Sequence, residues 1–548
     1  MVVAASSKFL TTANKIALFL LFLGGAFCIV GYLKTPPLFD KILTDVIHKI
    51  LKLTPNSEIY ETWVNPDIPV YQRFYFFDIQ NKEEIMKGGK PNMTEVGPYT
   101  YSVLLRPANI SFEGNSTVSF RKHLMYTFEP ELSVGLEDDI ITTVNFPFAT
   151  AASGVKSESW FARLAVSAVA KIHKQEIFTK ISVRDLLWGY QDPLLKQLQN
   201  MVGEDMISSD EFGLLLGKNN TIDKDVYTIN TGEADTMLLN TIEKFNGMES
   251  VQCWGDETAN MINGTDGMFF HPFIDQEEIL YVFNPFLFRS LPYEYQGDNS
   301  YKGVPIKDFT VPPYAYANPS EYPANAGFCL SEPCAPTGIL DISSCAMGVP
   351  LALSNPHFLY GAEDITQSID GLHSNESLHQ SRMGIEPIMG IPYIFDQRVQ
   401  INYYLEETSG IGQTEGIPSL YYPMVWLDTH GEMPDSVVSK YKQNIAGTYK
   451  MVEMVLLSCI VSGSIICFCI ISIAALALLR FHRSRNQNKK NVANNNTEIK
   501  KAEKEKFINQ ISTNNCNKNT EIPWRKQTNG TSGYKPVAVK HVKEETTV

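Results

Sequence analysis

The chain has 548 residues, of which 44% are hydrophobic and 19% charged, and its formal net charge at pH 7 is −14. This composition excludes a wholly disordered polypeptide and allows a large buried core. The tail after Leu479 is basic, so the rest of the chain is more acidic than the total indicates. Such a charge argues against a general binder of nucleic acid or heparin.

The first element is an apolar segment, residues 16–33, which contains no charged side chain. A helix needs about 20 apolar residues to cross a bilayer core, so this segment is just long enough. The alternative is a cleaved signal peptide, because Lys8 and Lys15 also fit a positive n-region. Its 18 residues are long for the apolar part of a signal peptide, however, and no A-x-A site follows.

A helix and several strands are predicted next. Pro36 and Pro37 open a segment whose apolar residues recur at helical spacing. Residues 71–79 are rich in aromatic side chains and predict a strand. Residues 110–112 and 117–120 flank Glu113-Gly114-Asn115, which predicts a β-hairpin.

Residues 157–202 change to a helical period. One apolar stripe is expected to pack inward, and its members are Phe161, Leu164, Ala165, Ala168, Val169 and Ile172. Arg163, Lys171 and Lys174 fall on the opposite face of the helical wheel. Asp192-Pro193 predicts the N-cap and first turn of a further helix.

Later residues return to strand patterns. Val399, Ile401, Tyr403 and Leu405 alternate with polar residues, which is typical of a half-buried strand. The elements together predict an α+β ectodomain with a β core and a helical insertion.

The cysteines and glycosylation sequons support an extracellular or luminal location. Four of nine cysteines, Cys253, Cys329, Cys334 and Cys345, lie between the apolar segments, a number suited to two disulfides. The N-x-S/T sequons of this part, which we expect to carry glycans, begin at Asn92, Asn109, Asn115, Asn219, Asn263 and Asn375.

The second apolar segment, residues 454–479, is uncharged over 26 residues and can span a bilayer with tilt. Basic residues precede the first segment and follow the second, which places both chain ends in the cytoplasm. We therefore expect a cytoplasmic N-terminus (1–15), a transmembrane helix (16–33), an ectodomain (34–453), a second transmembrane helix (454–479) and a cytoplasmic tail (480–548). The tail composition predicts disorder.

The chain ends in Glu545-Thr546-Thr547-Val548. A Thr at the third-last position with a terminal Val is typical of ligands that add as a strand to a PDZ domain. Thr546 and Val548 are therefore predicted to bind a cytoplasmic PDZ-domain protein.

Seven short stretches resemble the class B scavenger receptor family, in family order and with the same two-span topology. They are residues 95–99 (EVGPY), 186–190 (LLWGY), 261–267 (MINGTDG), 327–329 (GFC), 338–343 (GILDIS), 356–358 (PHF) and 385–388 (IEPI). The resemblance implies an antiparallel β-barrel-like core, an apical helical bundle at residues 157–202 and an internal lipid tunnel.

The resemblance also implies a ligand-binding apex. Its helical segment carries the candidate cations Arg163, Lys171, Lys174 and Lys180, which would attract anionic or oxidised lipid surfaces. His173 beside Lys174 is a candidate pH sensor, although an ordinary surface histidine explains it as well.

The cysteine pattern departs from the family. Cys329 and Cys334 match its short-loop disulfide, but Phe288 occupies the position of the partner expected for Cys345. Ala259 stands where a cysteine usually precedes the Asn-Gly-Thr stretch. Cys253 is the substitute partner for Cys345, and that bridge would contribute about 4 kcal/mol in the chain-entropy model.

No common catalytic signature is present, so the sequence does not indicate an enzyme. His373 and His379 flank Glu376 without helical ligand spacing, and we predict neither a metal site nor a cofactor there.

Three functions remain open. The first is a multi-pass plasma-membrane receptor that binds lipoproteins, fatty acids or anionic phospholipids, alone or as a homo-oligomer, and passes lipid along the tunnel. The second is an endosomal or lysosomal receptor for a luminal protein cargo. The third is a membrane-tethered ectoenzyme.

Overall fold

The computed structural model describes residue 15 and residues 19–26, 35–66, 68–114, 116–203, 207 and 209–514. These residues divide into two compact units. The described parts of Met1–Ile29 and Cys459–Val548 form one unit, and those of Val30–Ser458 form the other.

The larger unit is built on β-strands. They are β1 (Val70–Ile79), β2 (Met93–Glu113), β3 (Thr117–Phe128), β4 (Ile140–Val144), β5 (Phe178–Ser182), β6 (Tyr190–Gln191), β7 (Glu211–Phe212), β8 (Thr221–Asn230), β9 (Ile242–Phe245), β10 (Leu280–Asn284), β11 (Arg289–Tyr301), β12 (Val304–Thr310), β13 (Leu340–Asp341), β14 (Leu351–Ser354), β15 (Arg382–Glu386), β16 (Ile391–Leu405) and β17 (Leu420–Glu432). The hairpin predicted at Gly114 is confirmed, because β2 pairs with β3 on either side of it.

Most of these strands belong to one 13-stranded sheet. Its order is β10-β11-β12-β15-β16-β17-β1-β2-β3-β8-β9, with β14 also paired to β16 and β13 to β14. Neighbouring strands in this order are antiparallel; Phe74 of β1, for example, lies between Leu427 of β17 and Tyr99 of β2. The strands β4-β5 and β6-β7 form two small separate sheets.

Residues 264 and 265 connect the two edges of this sheet. The Ile242 amide of β9 donates to the Gly264 carbonyl at 2.9 Å, and the Thr265 amide donates to the Tyr281 carbonyl of β10 at 3.1 Å. Gly264 has φ +76°, and the Tyr281 oxygen lies 1.9 Å from where a Cβ would stand, so a side chain is excluded. Two residues of the MINGTDG stretch therefore bridge the edge strands β9 and β10.

Twelve α-helices have defined bounds in the described chain. They are α1 (Thr35–Ile50), α2 (Glu58–Val64), α3 (Lys82–Ile85), α4 (Phe146–Gly154), α5 (Trp160–Ile172), α6 (Val183–Trp188), α7 (Pro193–Val202), α8 (Glu257–Asn260), α9 (Glu363–Thr366), α10 (Glu376–His379), α11 (Asp435–Tyr441) and α12 (Gly447–Asn514). The predicted N-cap at Asp192 is confirmed, because its carboxylate accepts the amides of Leu194 and Leu195.

The polar residues of β16 differ from the prediction of a half-buried strand. Gln400 and Asn402 are fully buried, although their alternation with apolar residues predicted a solvent face. The Gln400 amide donates to Asn402 at 2.7 Å, and Asn402 donates to the Ser354 hydroxyl at 3.0 Å. A buried polar network on the second face replaces solvent, which the period of the strand cannot reveal.

The C-terminal helix is longer than predicted. α12 continues to Asn514, whereas the composition predicted disorder from Arg480. Residues 498–506 are rich in Lys and Glu, which are good helix formers, and extension from an existing helix avoids the cost of nucleation. Residues 515–548, with Thr546 and Val548, lie outside the described chain.

One helix of the described chain, Lys450–Ile508, is long and apolar enough to cross a membrane. In the first apolar segment residues 19–26 are helical, and residues 16–18 and 27–33 fall outside the described part.

Both predicted disulfides are present. Cys253 is bonded to Cys345, and Cys329 to Cys334. The Phe288 carbonyl accepts the Trp254 indole N–H at 2.7 Å, so a hydrogen bond is made by the residue that stands where the family pattern has a further cysteine.

Candidate ligand-binding surface

Helix α5 is the centre of the helical insertion. The Ser159 hydroxyl caps it by accepting the Ala162 amide at 3.3 Å, and its C-cap is His173, whose amide donates to the Val169 carbonyl. Its buried face consists of Val166, Val169 and Ala170. These side chains pack into the core with α4 and α7, which fixes the orientation of the helix.

A polar contact fixes the same orientation. The Ser167 hydroxyl donates to Gln413 at 3.1 Å, and the Gln413 amide donates back to the Ser167 carbonyl. Arg163 lies against Gly410 and donates to the Lys156 carbonyl at 2.9 Å. The Arg163 part of the face that sequence analysis assigned to solvent is thus turned toward Gly410, whereas Lys171 and Lys174 are exposed.

The apolar stripe was predicted to pack inward, and this prediction is wrong for most of its length. Phe161 is 76% exposed and Ile172 is 74% exposed, and Leu164 and Trp160 are also exposed. A helical wheel could not separate the two faces, because α5 is apolar on both. We call Trp160, Phe161, Leu164, Lys171 and Ile172 the α5 surface.

The predicted cations are distributed unequally around this surface. Lys171 lies at about 20° from Trp160 on the helical wheel and so borders the exposed apolar stripe. Lys174 is exposed just beyond the C-cap, and Lys180 is exposed on β5. Arg163 is half-buried in its contact with Gly410, and its role in ligand binding stays a prediction.

The sequons are mostly accessible. Asn92, Asn109, Asn219 and Asn375 are exposed and Asn263 is half-buried, while Asn115 lies outside the described residues. Glycosylation of these six residues stays a prediction.

A second cluster was missed by sequence analysis. The Glu95 carboxylate accepts the Trp426 indole N–H at 2.7 Å and bonds the His357 imidazole at 2.5 Å. The His357 ring stacks on His379 at 4.4 Å. Glu95 and His357 lie in the EVGPY and PHF stretches, and this motif membership was the only signal in the sequence.

The surroundings shift the pKa of two of these groups, Glu95 and His379. Burial raises the pKa of the Glu95 carboxyl, but the hydrogen bonds from His357 and Trp426 outweigh it and hold that pKa below its usual value. Burial, with a further contribution from His357, lowers the pKa of His379 to about 4. His379 is therefore neutral at pH 7 and does not act as a cation.

The shift of His379 predicts pH-dependent stability. The unfolded histidine binds a proton near pH 6.5 and the folded one only near pH 4, so protons favour unfolding between these values. We expect the free energy of unfolding to fall by up to about 3 kcal/mol as the pH drops through this window. Chemical unfolding of the His379→Asn variant should show a flatter pH slope.

The exposed His373 provides the matched control. His373→Gln should retain the wild-type slope between pH 6.5 and pH 4. An unchanged slope in His379→Asn would show that other groups dominate the pH dependence.

Comparison with known proteins identifies the class. Residues 18–474 match the CD36 family. The chain therefore belongs to the CD36 family, whose members are receptors rather than enzymes.

The relatives cover most of the chain. It is 36% identical to lysosome membrane protein 2 of Homo sapiens over 75% of this chain and 84% of that protein. It is 31% identical to scavenger receptor class B member 1 of Bos taurus over 79% of this chain and 84% of that protein. This relationship supports a scavenger receptor function.

Proposed function

We propose that this chain is a class B scavenger-type receptor that binds lipoproteins, fatty acids or anionic phospholipids and transfers lipid through its ectodomain to the membrane. The observation that carries the proposal is the α5 surface, where the exposed Phe161 and Ile172 lie on the same helix as Lys171. Contiguous exposed apolar side chains mark interaction sites in soluble domains. A neighbouring ammonium adds attraction to an anionic lipid headgroup.

Transfer of lipid requires no covalent chemistry. Moving an acyl chain from one apolar environment to another avoids its exposure to water, which would cost about 0.8 kcal/mol per CH₂. A cavity of about 50 Å³ lies between Val282, Leu291, Tyr293 and Val399. Pockets for drug-sized ligands occupy roughly 300 Å³ or more, so passage requires these side chains to move apart.

The two-span arrangement is part of the proposal. Gly24 is buried, and a Cβ on it would lie 3.0 Å from Ile466 and 3.1 Å from the Cys467 sulfur. Small residues allow membrane helices to approach closely, so this contact supports pairing of the two apolar segments. The basic flanks support cytoplasmic locations for both chain ends.

This contact can be tested by cross-linking. The Gly24→Cys variant is expected to form a disulfide with Cys467, because the introduced Cβ would stand 3.1 Å from that sulfur. Proteolysis between the segments but outside residues 253–345, so that the native Cys253–Cys345 disulfide does not join the fragments, should leave them linked under non-reducing conditions. The control is Gly25→Cys, since no atom lies within 4 Å of a Cβ at Gly25. Equal cross-linking of both variants would argue against the helix pairing.

Cellular location separates the main proposal from its alternative. The relatives named lysosome membrane protein 2 favour a lysosomal membrane, and those named scavenger receptor class B member 1 favour a receptor for lipid at the plasma membrane. Steady-state imaging should place the full chain at the cell surface, whereas confinement to lysosomes supports the cargo-receptor alternative. Binding of Thr546 and Val548 to a PDZ domain and homo-oligomerisation are further proposals.

Mass spectrometry of lipids that co-purify with the chain tests the function directly. We expect fatty acids or anionic phospholipids enriched over their abundance in the host membrane. The proposal would be contradicted if the bound lipids had the same composition as the host membrane. A tightly bound protein in the same preparations would favour a cargo receptor.

A further inference from the structure

A buried arginine in the ectodomain has no acidic partner. Arg289, the first residue of β11, is 8% exposed. Its Nη1 donates to the Ala315 carbonyl at 2.6 Å, and its Nη2 donates to the Asn325 side-chain oxygen at 3.0 Å. Its Nε is buried without a hydrogen-bond partner. Both acceptors are neutral, so the positive charge is not compensated by either of them.

The electrostatic surroundings of Arg289 confirm this isolation. Among the described residues Arg289 forms no ion pair with a carboxylate, and its named neighbours Tyr314, Tyr316 and Tyr322 are neutral side chains. Burial lowers the pKa of the Arg289 guanidinium to about 10, so the group is still charged at pH 7. Charged side chains are almost never buried unless they are paired, because removal from water is costly. An uncompensated buried cation therefore needs a reason beyond folding.

Arg289 lines a cavity of about 70 Å³. The other lining residues include polar Asn318 and Ser343 and apolar Leu330 and Ile339. This volume admits a small anionic group with its first carbon atoms and is far smaller than a drug-sized pocket. The partly exposed Cys329–Cys334 disulfide contributes both its cysteines to the cavity wall.

Asp341 also lines this cavity. Its carboxylate accepts the Ser343 amide at 2.9 Å and forms no ion pair with Arg289. The Asp341 carboxylate is therefore bound to its own loop and is not paired with the Arg289 guanidinium.

The guanidinium is held in a fixed orientation. The Asn325 amide donates to the carbonyls of Tyr314 and Ala317 at 2.9 and 2.8 Å, which directs its oxygen toward Arg289. The Phe328 ring lies 3.7 Å from the guanidinium carbon, in a cation–π contact. A guanidinium held in this way is preorganised, so little conformational entropy is lost when it binds an anion.

We propose that Arg289 is a binding site for the carboxylate group of an organic acid. The planar guanidinium matches a carboxylate in a bidentate arrangement, and Arg289 still has unused N–H donors. The acid is either a short one that fills the cavity or one whose acyl chain extends past Leu330, which is exposed at the cavity. This site is separate from the α5 surface, so its failure would leave the proposed function standing.

The test is a thermal unfolding titration of the full chain in phosphatidylcholine nanodiscs. Sodium acetate, sodium hexanoate and sodium phosphate are compared with sodium chloride at constant ionic strength. Acetate or hexanoate should raise the unfolding temperature with a saturable dependence on concentration, because a ligand that binds only the folded state stabilises it. Equal effects of both acids would assign the site to the carboxylate alone, and a stronger effect of hexanoate would assign an acyl-chain contact to it as well.

Two variants connect the effect to this site. Arg289→Gln should weaken the apparent affinity for the acid at least tenfold. Arg106→Gln, on an exposed arginine of β2, makes the same change in charge and should retain wild-type affinity. If Arg289→Gln does not fold, the Ser344→Glu variant tests the same site. Ser344 is exposed and lines the cavity, so a carboxylate there should raise the unfolding temperature and abolish the acetate effect.

The proposal is overturned by any of three results. They are no saturable effect of either acid on the wild-type chain, an undiminished effect in Arg289→Gln or Ser344→Glu, and an effect of phosphate at least as large as that of the acids.

Discussion

Replacing Phe161 and Ile172 together by serine is expected to weaken binding of anionic liposomes at least tenfold. Both side chains are about three-quarters exposed, so an interface can bury most of their area. Fully burying one such side chain is worth about 1.5–3 kcal/mol, and each 1.4 kcal/mol is about a tenfold change in affinity. Liposome flotation or surface plasmon resonance with the purified chain measures this change.

The matched control is Met347→Ser. Met347 is 95% exposed and lies outside the helical insertion, so its substitution should leave liposome binding unchanged. Exposed substitutions usually change stability by about 0.5 kcal/mol, and all these variants should reach the cell surface. Wild-type binding by the double variant would show that ligand binds at another surface.

The Lys171 ammonium adds an electrostatic part to the same binding. Exposed charges are screened over about 8 Å at physiological ionic strength, so affinity should fall as salt is raised. Lys171→Glu should remove much of this salt dependence. The apolar contribution from Phe161 and Ile172 should persist at high salt.

The second large effect is expected on stability. Asp396 of β16 is buried, accepts Arg382 Nε at 2.6 Å and His430 Nδ1 at 2.7 Å, and lies 3.5 Å from Arg398 Nη2. Burial raises the pKa of Asp396, but its three partners lower that pKa by a larger amount and hold it well below its usual range. The carboxylate therefore stays ionised at the acidic pH of a lysosome.

Asp396→Asn should lower the free energy of unfolding by about 3–5 kcal/mol, because it leaves the buried Arg398 with less compensation. Urea denaturation of the full chain measures the change. Asp298→Asn serves as the control, since Asp298 is 74% exposed in its 3.3 Å pair with Lys307. That variant should lose far less stability, because an exposed ion pair is screened by water and salt and contributes little. Equal losses in the two variants would refute a structural role for the buried network.

The sequence predicted the elements of the fold better than their orientation. Period-two and helical patterns identified β1, the β2–β3 hairpin and the helices α5 and α7, because local side-chain spacing carries that information. The buried side of α5 was predicted wrongly, because it depends on the contact between Ser167 and Gln413, 246 residues apart. No local pattern encodes a contact at that separation.

The same limit applies to the candidate sites. The lysine at position 171 was identified from the sequence, but its apolar neighbours were assigned to the core. The sequence does not distinguish Arg289 from other arginines at the start of a strand, because its burial depends on the fold. The sequence also could not reveal that Gln400 and Asn402 face a buried network.

We propose that the chain captures lipid at the α5 surface and delivers it to the membrane in which it is anchored. Transfer of a fluorescent phospholipid from anionic donor particles to vesicles that contain the full chain measures both steps together. We expect transfer well above that of protein-free vesicles, lost in the Phe161→Ser, Ile172→Ser double variant and retained in Met347→Ser. Transfer no faster than into protein-free vesicles would contradict the account.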